Sequence, residues 1–125
     1  MNSFTTENST FYLMNLSGKI LPFPDNEFDV VIATDVIEHL DSSETGLFLL
    51  REAIRVSKKL IFVSTPNREE TSTEPTVCPP DYKDGKLIKG HRYEYSNSEV
   101  TNEIKKTPAK IVEFYGLLSS KKVID

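Results

Sequence analysis

The chain has 125 residues, a net charge of −4 and 38% hydrophobic residues, values that fit one soluble domain spanning residues 1–125. Charges of both signs are mixed, so the sequence predicts no basic surface for nucleic acid. No apolar run reaches the roughly 20 residues that span a bilayer, and neither the N-terminus nor the single cysteine suggests secretion. We therefore expect a cytoplasmic protein without membrane contact.

The first two predicted elements are strands. Residues 10–16 (TFYLMNL) are short and rich in aromatic side chains, which is typical of a strand. Residues 28–34 follow a turn that contains Pro22 and Pro24, and they include an apolar run without polar alternation. Such a run predicts a strand that is covered on both faces, as in a parallel sheet.

A helix and another buried strand come next. Asp41, with Glu44 three residues later, has the spacing of a capped helix start. Apolar residues at helical spacing then predict a helix over residues 43–57. Residues 60–64 (LIFVS) predict a second buried strand. A strand, a helix and a strand in this order favour a right-handed parallel crossover, and hence an α/β fold.

The later part of the chain changes in composition. Residues 68–90 are rich in Glu, Thr, Pro, Lys and Asp, which predicts a long polar loop of a length typical of functional lids or disordered segments. Ser96 and Glu99 have the spacing of a capping box. They predict a helix to about residue 106 that Pro108 ends, and residues 110–115 predict a further strand. Nothing indicates a second domain.

Polar residues follow directly on the strand over residues 28–34, where open α/β sheets bind their ligands. If a helical turn begins at Asp35, then Asp35, Glu38 and His39 share one face. Together with His91, these side chains could hold a divalent ion such as Mg²⁺ or Mn²⁺. The simpler alternative is structural: Glu38 starts a helix, His39 makes a hydrogen bond within the loop, and Asp35 forms the turn.

Four segments resemble the later part of class I S-adenosylmethionine-dependent methyltransferases. In chain order they are LPFPDNEFDVVIATDVIEHLD, LLREAIRVS, LIFVSTPN and GHRYEYSNSEV. The resemblance implies a truncated Rossmann-like methyltransferase fold, in which a parallel sheet has flanking helices. The family's glycine-rich cofactor loop and its acidic ribose-binding residue have no counterpart in the sequence. By this match, residues 10–16 correspond to the family's third strand.

The resemblance implies methyl transfer from S-adenosylmethionine to an unidentified acceptor. The last segments also look like those of small-RNA 3′-terminal 2′-O-methyltransferases, so the acceptor is expected to be a small molecule or an RNA end. In that subfamily, the positions of Asp35, Glu38, His39 and His91 match a metal site. The implied cofactor-binding residues are Ser17, Ala33, Thr34 and Asp35, and the implied catalytic residues are Glu38, His39 and His91.

Without the family's first two strands, the strand over residues 28–34 would have an open apolar edge, which is a template for association. Three arrangements follow: the strand over residues 10–16 pairs with this edge, two copies of the chain associate, or another polypeptide covers the edge. The sequence therefore leaves two functions open. The chain is a methyltransferase, or it is a non-catalytic remnant that acts as a binding or regulatory partner.

Overall fold

The computed structural model describes residues 2–68, 81–83, 86–89, 92–111 and 113. The elements described within these ranges are two helices, several short strands and a 3₁₀ turn over Ile37–His39, which lies between the third strand and the first helix. In chain order, the strands and helices are β1 (Asn2–Thr5), β2 (Thr10–Leu13), β3 (Phe28–Thr34), α1 (Ser43–Val56), β4 (Ser57–Ser64), β5 (Asp81–Lys83), β6 (Lys86–Lys89) and α2 (Asn97–Lys105). In the described part of the chain, neither helix is long and apolar enough to cross a membrane.

The centre of the fold is a parallel pair of strands joined by a helix. β3 and β4 run parallel, with Val30 opposite Leu60 and Ile32 opposite Phe62. Parallel strands need a crossover connection, and α1 supplies it by packing on one face of the pair. The predicted strand, helix and strand are thus confirmed, and so is the α/β class.

Both helices begin with a capping box. At α1, the Ser42 hydroxyl oxygen accepts from the Thr45 backbone N–H at 3.2 Å, and the Thr45 hydroxyl oxygen accepts from the Ser42 N–H at 2.9 Å. The prediction that Asp41 caps this helix was wrong, because the Ser42 and Thr45 side chains satisfy these two N–H groups one residue later. At α2, the predicted box of Ser96 and Glu99 is confirmed.

The core lies between α1, the 3₁₀ turn and the segment that precedes α2. Ile37, Leu49 and Tyr95 form its central cluster. The Tyr95 hydroxyl donates to the Ser43 carbonyl oxygen at 2.9 Å. A side chain at Gly46 would clash with this hydroxyl and lie 2.6 Å from the Ile37 carbonyl oxygen. Glycine is therefore required at that point of close approach.

The two faces of the β3–β4 pair differ in cover. Ala33 is buried on the face toward α1. On the opposite face, Val30, Ile32, Leu60 and Phe62 are 48%, 68%, 42% and 55% exposed. The prediction that β3 is covered on both faces was wrong, because a helix layer lies on only one side of the pair among the described residues.

The N-terminal strands form a separate hairpin. β1 and β2 pair antiparallel, with Phe4 opposite Phe11, and these two rings stack at 4.6 Å between centroids. β1 was not predicted, and the strand expected over residues 10–16 ends at Leu13. In the described ranges β2 is hydrogen-bonded to β1 and not to β3, so the first of the three expected arrangements is not the one observed.

Two predictions for the later chain need correction. Within the expected loop over residues 68–90, β5 and β6 pair antiparallel. Residues 69–80, 84–85 and 90 lie outside the described residues. Of the strand expected over residues 110–115, residues 110, 111 and 113 are not in a strand, and the rest lies outside the described residues.

Candidate functional site

A buried carboxylate lies just past the carboxyl end of β3. The Glu38 side chain, in the 3₁₀ turn, is fully buried. Its Oε2 accepts a hydrogen bond from the Thr65 hydroxyl at 3.0 Å. Among the described residues, its Oε1 has no hydrogen-bond partner. Native proteins rarely leave a buried polar atom unsatisfied, since this costs about 1–3 kcal/mol or more, so the oxygen marks Glu38 as a candidate ligand-binding group.

Three segments of the chain meet at Glu38. Thr65 follows the end of β4, beside the turn that follows β3. The Glu38 carbonyl oxygen accepts from the backbone N–H groups of Arg92 and Tyr93, at 2.6 and 3.2 Å. The site is therefore built where the carboxyl ends of two parallel strands meet the segment before α2. Thr65 was not among the predicted site residues, although its position after a buried strand was a signal for it.

His39 lies at the rim of this site. Its side chain is 42% exposed, and its Nε2 lies 3.8 Å from Oε1 of Glu38. That distance is too long for a direct hydrogen bond but close enough for an attraction between a carboxylate and a protonated imidazole. Glu38 and His39 thus form a pair with one buried and one solvent-exposed member.

Asp35 lies at a backbone turn, as the structural alternative expected. Its φ of 53° lies in the left-handed region, its N–H donates to the Ser64 carbonyl oxygen at 2.9 Å, and its Oδ1 accepts from the Ser64 hydroxyl at 3.3 Å. The chain therefore turns at Asp35 before the 3₁₀ turn begins. The expectation that Asp35, Glu38 and His39 share one helical face was wrong, because Asp35 is not helical.

The predicted metal ligands are only partly described. Among the residues that the structure describes, no group of three His, Cys, Asp or Glu side chains could hold a metal ion. His91, the fourth predicted ligand and a predicted catalytic residue, lies outside the described residues.

A second network holds the segment that reaches Glu38. The Tyr93 hydroxyl donates to Oε1 of Glu99 at 2.7 Å, and Nη1 of Arg68 lies 3.3 Å from the hydroxyl and 3.2 Å from the same Oε1. Burial raises the pKa of Tyr93. For Glu99, burial acts to raise the pKa, but hydrogen bonds from Ser96 and Tyr93 and the charge of Arg68 lower it overall. This network fixes residues 92–95 beside the site.

Of the predicted cofactor-binding residues, Ala33 lines an apolar groove, whereas Ser17, Thr34 and Asp35 are not among its lining residues. Ala33 is buried, Thr34 is exposed, and the half-buried Ser17 donates its N–H to the Asn15 side-chain oxygen at 2.9 Å. The groove, about 500 Å³, runs between β2, β3 and α1. Apart from Thr10 and Tyr12 its lining side chains are apolar, among them Leu16, Ala33, Val36 and Leu49.

S-adenosylmethionine carries ribose hydroxyls, an amino group and a carboxylate, and each needs a polar partner when buried. The apolar groove beside β3 supplies few such groups. Asp35 precedes the lining residue Val36 in the sequence, and its carboxylate already accepts a hydrogen bond from the Ser64 hydroxyl. The described residues therefore fit part of this cofactor at most.

Comparison with known proteins gives a match to one family model. A family model described as a methyltransferase domain matches residues 3–60, from β1 to the first half of β4. Searches of the curated proteins and of the solved structures gave no match. This match supports a class I S-adenosylmethionine-dependent methyltransferase-type domain over residues 3–60, as the sequence resemblance predicted. Its parallel β3–β4 pair with flanking helices agrees with a truncated Rossmann-like methyltransferase fold. Methyl transfer is the reaction of this family.

Proposed function

We propose that this chain takes part in the transfer of a methyl group from S-adenosylmethionine to an oxygen, nitrogen or carbon acceptor, which is a small molecule or an RNA end. The methyltransferase-domain match over residues 3–60 supports the reaction class and the donor. The donor supplies an electrophilic methyl group when bound. Because the described residues fit only part of the S-adenosylmethionine molecule, the proposal concerns the acceptor side of the site.

One observation carries this proposal: the unsatisfied Oε1 of Glu38 at the carboxyl end of β3. Because Thr65 already donates to Oε2, the carboxylate is held in place and Oε1 remains to accept one more hydrogen bond. A hydroxyl or amine of an acceptor molecule is a donor of the required kind. Binding it would remove the cost of the unsatisfied oxygen.

His39 complements this carboxylate chemically. A hydroxyl or amine that becomes methylated loses a proton, and an imidazole is the side chain best suited to take it near neutral pH. His39 is exposed enough to pass that proton to solvent, and Glu38 lies close enough to stabilise the resulting positive charge. We expect His91 to border the acceptor from the segment before residue 92.

Calorimetric titration with S-adenosylmethionine and with its demethylated product tests the enzyme proposal. Saturable binding in the micromolar range would support methyl transfer by this chain and argue against the non-catalytic role. Glu38→Gln is the matched variant, and it should leave the donor affinity unchanged because Glu38 is placed on the acceptor side. Absence of heat at millimolar ligand, with the chain folded, would retire the proposal that this chain acts alone.

We propose a bound Mg²⁺ or Mn²⁺ only if His91 acts as a ligand together with Asp35, Glu38 and His39. The melting temperature with and without each ion tests it directly. A bound ion should raise the melting temperature of the wild-type chain. If the double variant Glu38→Ala, His39→Ala responds as strongly as the wild type, these residues do not hold an ion.

A second candidate function has its own supporting observation. The uncovered face of the β3–β4 pair exposes Val30, Ile32, Leu60 and Phe62, whereas parallel sheets normally have both faces covered. This favours a non-catalytic binding or regulatory partner, which associates with a second copy or with another chain. Sedimentation across a range of concentrations, alone and with candidate partners, tests it. A chain that remains monomeric and binds S-adenosylmethionine tightly would argue against this role.

A further inference from the structure

The edge of β3 opposite β4 is open. In the described ranges β3 is hydrogen-bonded to β4 alone. The N–H of Asp35 donates to the Ser64 carbonyl oxygen, and successive residues of a strand direct their amide groups to opposite sides. Every second residue counted back from Asp35 therefore faces β4, and the residues between them face the open edge. The residues with backbone N–H and C=O groups at the open edge are Val30, Ile32 and Thr34.

An apolar groove runs along this edge. Side chains from both faces of the sheet, Ile32 and Ala33, line the same cavity of about 500 Å³, so the cavity follows the edge itself. Phe11 and Tyr12 of the hairpin form its opposite wall. An added strand lies about 4.8 Å from its neighbour. The groove therefore offers backbone partners on one side and apolar contacts on the other.

The charges around β3 disfavour a second copy of the chain at this edge. A two-fold axis perpendicular to the sheet pairs residues of the same face, so one residue of β3 lies directly opposite its own copy. When that residue is Val31 or Ile32, Asp35 of one copy lies opposite an acidic residue of the other, and like charges directly opposite destabilise a strand pair. The acidic residue is Glu27 in the first case and Asp29 in the second.

We propose that the open edge of β3 binds an extended apolar segment of another polypeptide, flanked by Lys or Arg, as an added β-strand. Main-chain hydrogen bonds to the edge residues provide the pairing, and the exposed side chains of Val30 and Ile32 pack against the segment. Acidic residues near the two ends of β3 attract the basic flanks. Glu27 precedes the strand, Asp29 is its second residue and forms an exposed ion pair with Lys59 at 3.4 Å, and Asp35 follows the strand. The proposal names the partner chemistry for the second candidate function, on which it rests, and it requires no methyl transfer.

The test uses the full chain and a synthetic, end-blocked peptide, Lys-Val-Thr-Val-Thr-Val-Lys. Saturable binding is expected, and the same peptide with Glu at both ends should bind about tenfold more weakly, as expected from reversing two exposed charge pairs. Amide hydrogen exchange tests directly whether the backbone N–H groups at the open edge of β3 are hydrogen-bonded. The Ile32 N–H should exchange fast in the free chain and slowly with the Lys-flanked peptide.

Three variants separate edge pairing from general apolar contact. Ile32→Lys should weaken binding strongly, whereas Ile20→Lys should not, since Ile20 is equally exposed, at 74% against 68%, and does not line the groove. Ile32→Pro removes an N–H that does not face β4, a position where an edge strand tolerates proline, and it should abolish binding. If Ile32→Pro lowers the melting temperature, binding of a peptide that is N-methylated at alternate amides to the wild-type chain is measured instead. This peptide lacks the N–H groups that pair with the edge, so it should not bind.

Several outcomes would overturn the proposal. These are no binding at millimolar peptide, or equal binding of the Lys-flanked and Glu-flanked peptides. A slow Ile32 N–H in the free monomer would mean that another segment of this chain occupies the edge. A dimer that Ile32→Pro converts to a monomer would mean that a second copy occupies it. That last result would rule out an added strand from another polypeptide but would still agree with the second candidate function. Failure of this proposal and failure of the second candidate function are therefore distinguishable.

Discussion

Two buried glutamates lie at opposite ends of the β3–α1 unit and differ in how they are satisfied. Oε1 of Glu52 accepts from the Leu21 N–H at 2.8 Å and from Arg55 Nη2 at 2.9 Å, and its Oε2 accepts from Arg55 Nε at 2.7 Å. Glu38 is more buried, but in the described part of the chain Thr65 is the one side chain that hydrogen-bonds to its carboxylate. A carboxylate paired at both oxygens stabilises a fold, whereas one with an open oxygen adds a cost that a bound ligand would relieve.

The surroundings of the two glutamates explain this difference. Arg55 also donates to the carbonyl oxygens of Leu21 and Phe23 and to Asp25, at 3.1, 2.9 and 2.8 Å. It therefore fastens the turn before β3 to α1, and its hydrogen bonds to Glu52 lower the pKa of that carboxyl group. The end where β3 begins is thus built for stability, and the end where it finishes holds the candidate site, as in open α/β sheets generally.

Glu52→Gln should have the largest effect on stability. It replaces a charge-assisted pair with Arg55 by a neutral one and places an amide donor against donors. A loss of about 2 kcal/mol in the free energy of unfolding is expected, measured by urea denaturation. A loss no greater than that for Glu38→Gln would mean that the two carboxylates contribute equally to stability, which would contradict the difference described above.

Acid should remove the contribution of Glu52. Its pKa is lowered in the folded chain, so the stabilisation is complete above the unfolded pKa and is lost as the pH falls through the folded pKa. Measured from about pH 7 down to about pH 3, the wild-type free energy of unfolding should therefore fall further than that of Glu52→Gln. Parallel curves for the two proteins would contradict this assignment.

Ser42→Ala sharpens the comparison at the start of α1, next to the candidate site. It removes the side-chain oxygen of the capping box, so a loss of about 1 kcal/mol is expected. Asp41→Ala is the matched control, since Asp41 is exposed and does not cap the helix. A larger loss of stability in the Asp41→Ala variant would show that Asp41 caps the helix, as the sequence predicted.

Glu38→Gln should have the smallest effect on stability, about 0.5 kcal/mol or less. Relief of a buried charge offsets the weaker bond from Thr65. Thermal or urea unfolding of this variant beside Glu52→Gln measures the contrast in one experiment. A loss of about 2 kcal/mol would show that Glu38 is structural, and would remove the observation on which the acceptor site is built.

The elements that could be predicted are those set by local patterns. The β-branched run of β3 and the helical spacing of α1 each lie within one segment, and so does the capping box at Ser96. The position of Glu38 and His39 after a buried strand also pointed to the site. The bond from Thr65 to Glu38 joins residues 27 apart, and that from Leu21 to Glu52 joins residues 31 apart. No local pattern specifies such pairs.

The sequence alone determined the α/β class, the parallel crossover and the methyltransferase-type domain, because apolar periodicity and family motifs are written along the chain. Only the tertiary structure decided which carboxylate is paired, where Asp35 turns the backbone and which face of the β3–β4 pair stays uncovered. The physical reason is that burial and hydrogen bonding depend on which distant segments come together. Two glutamates that look alike in the sequence thus acquire opposite roles in the fold.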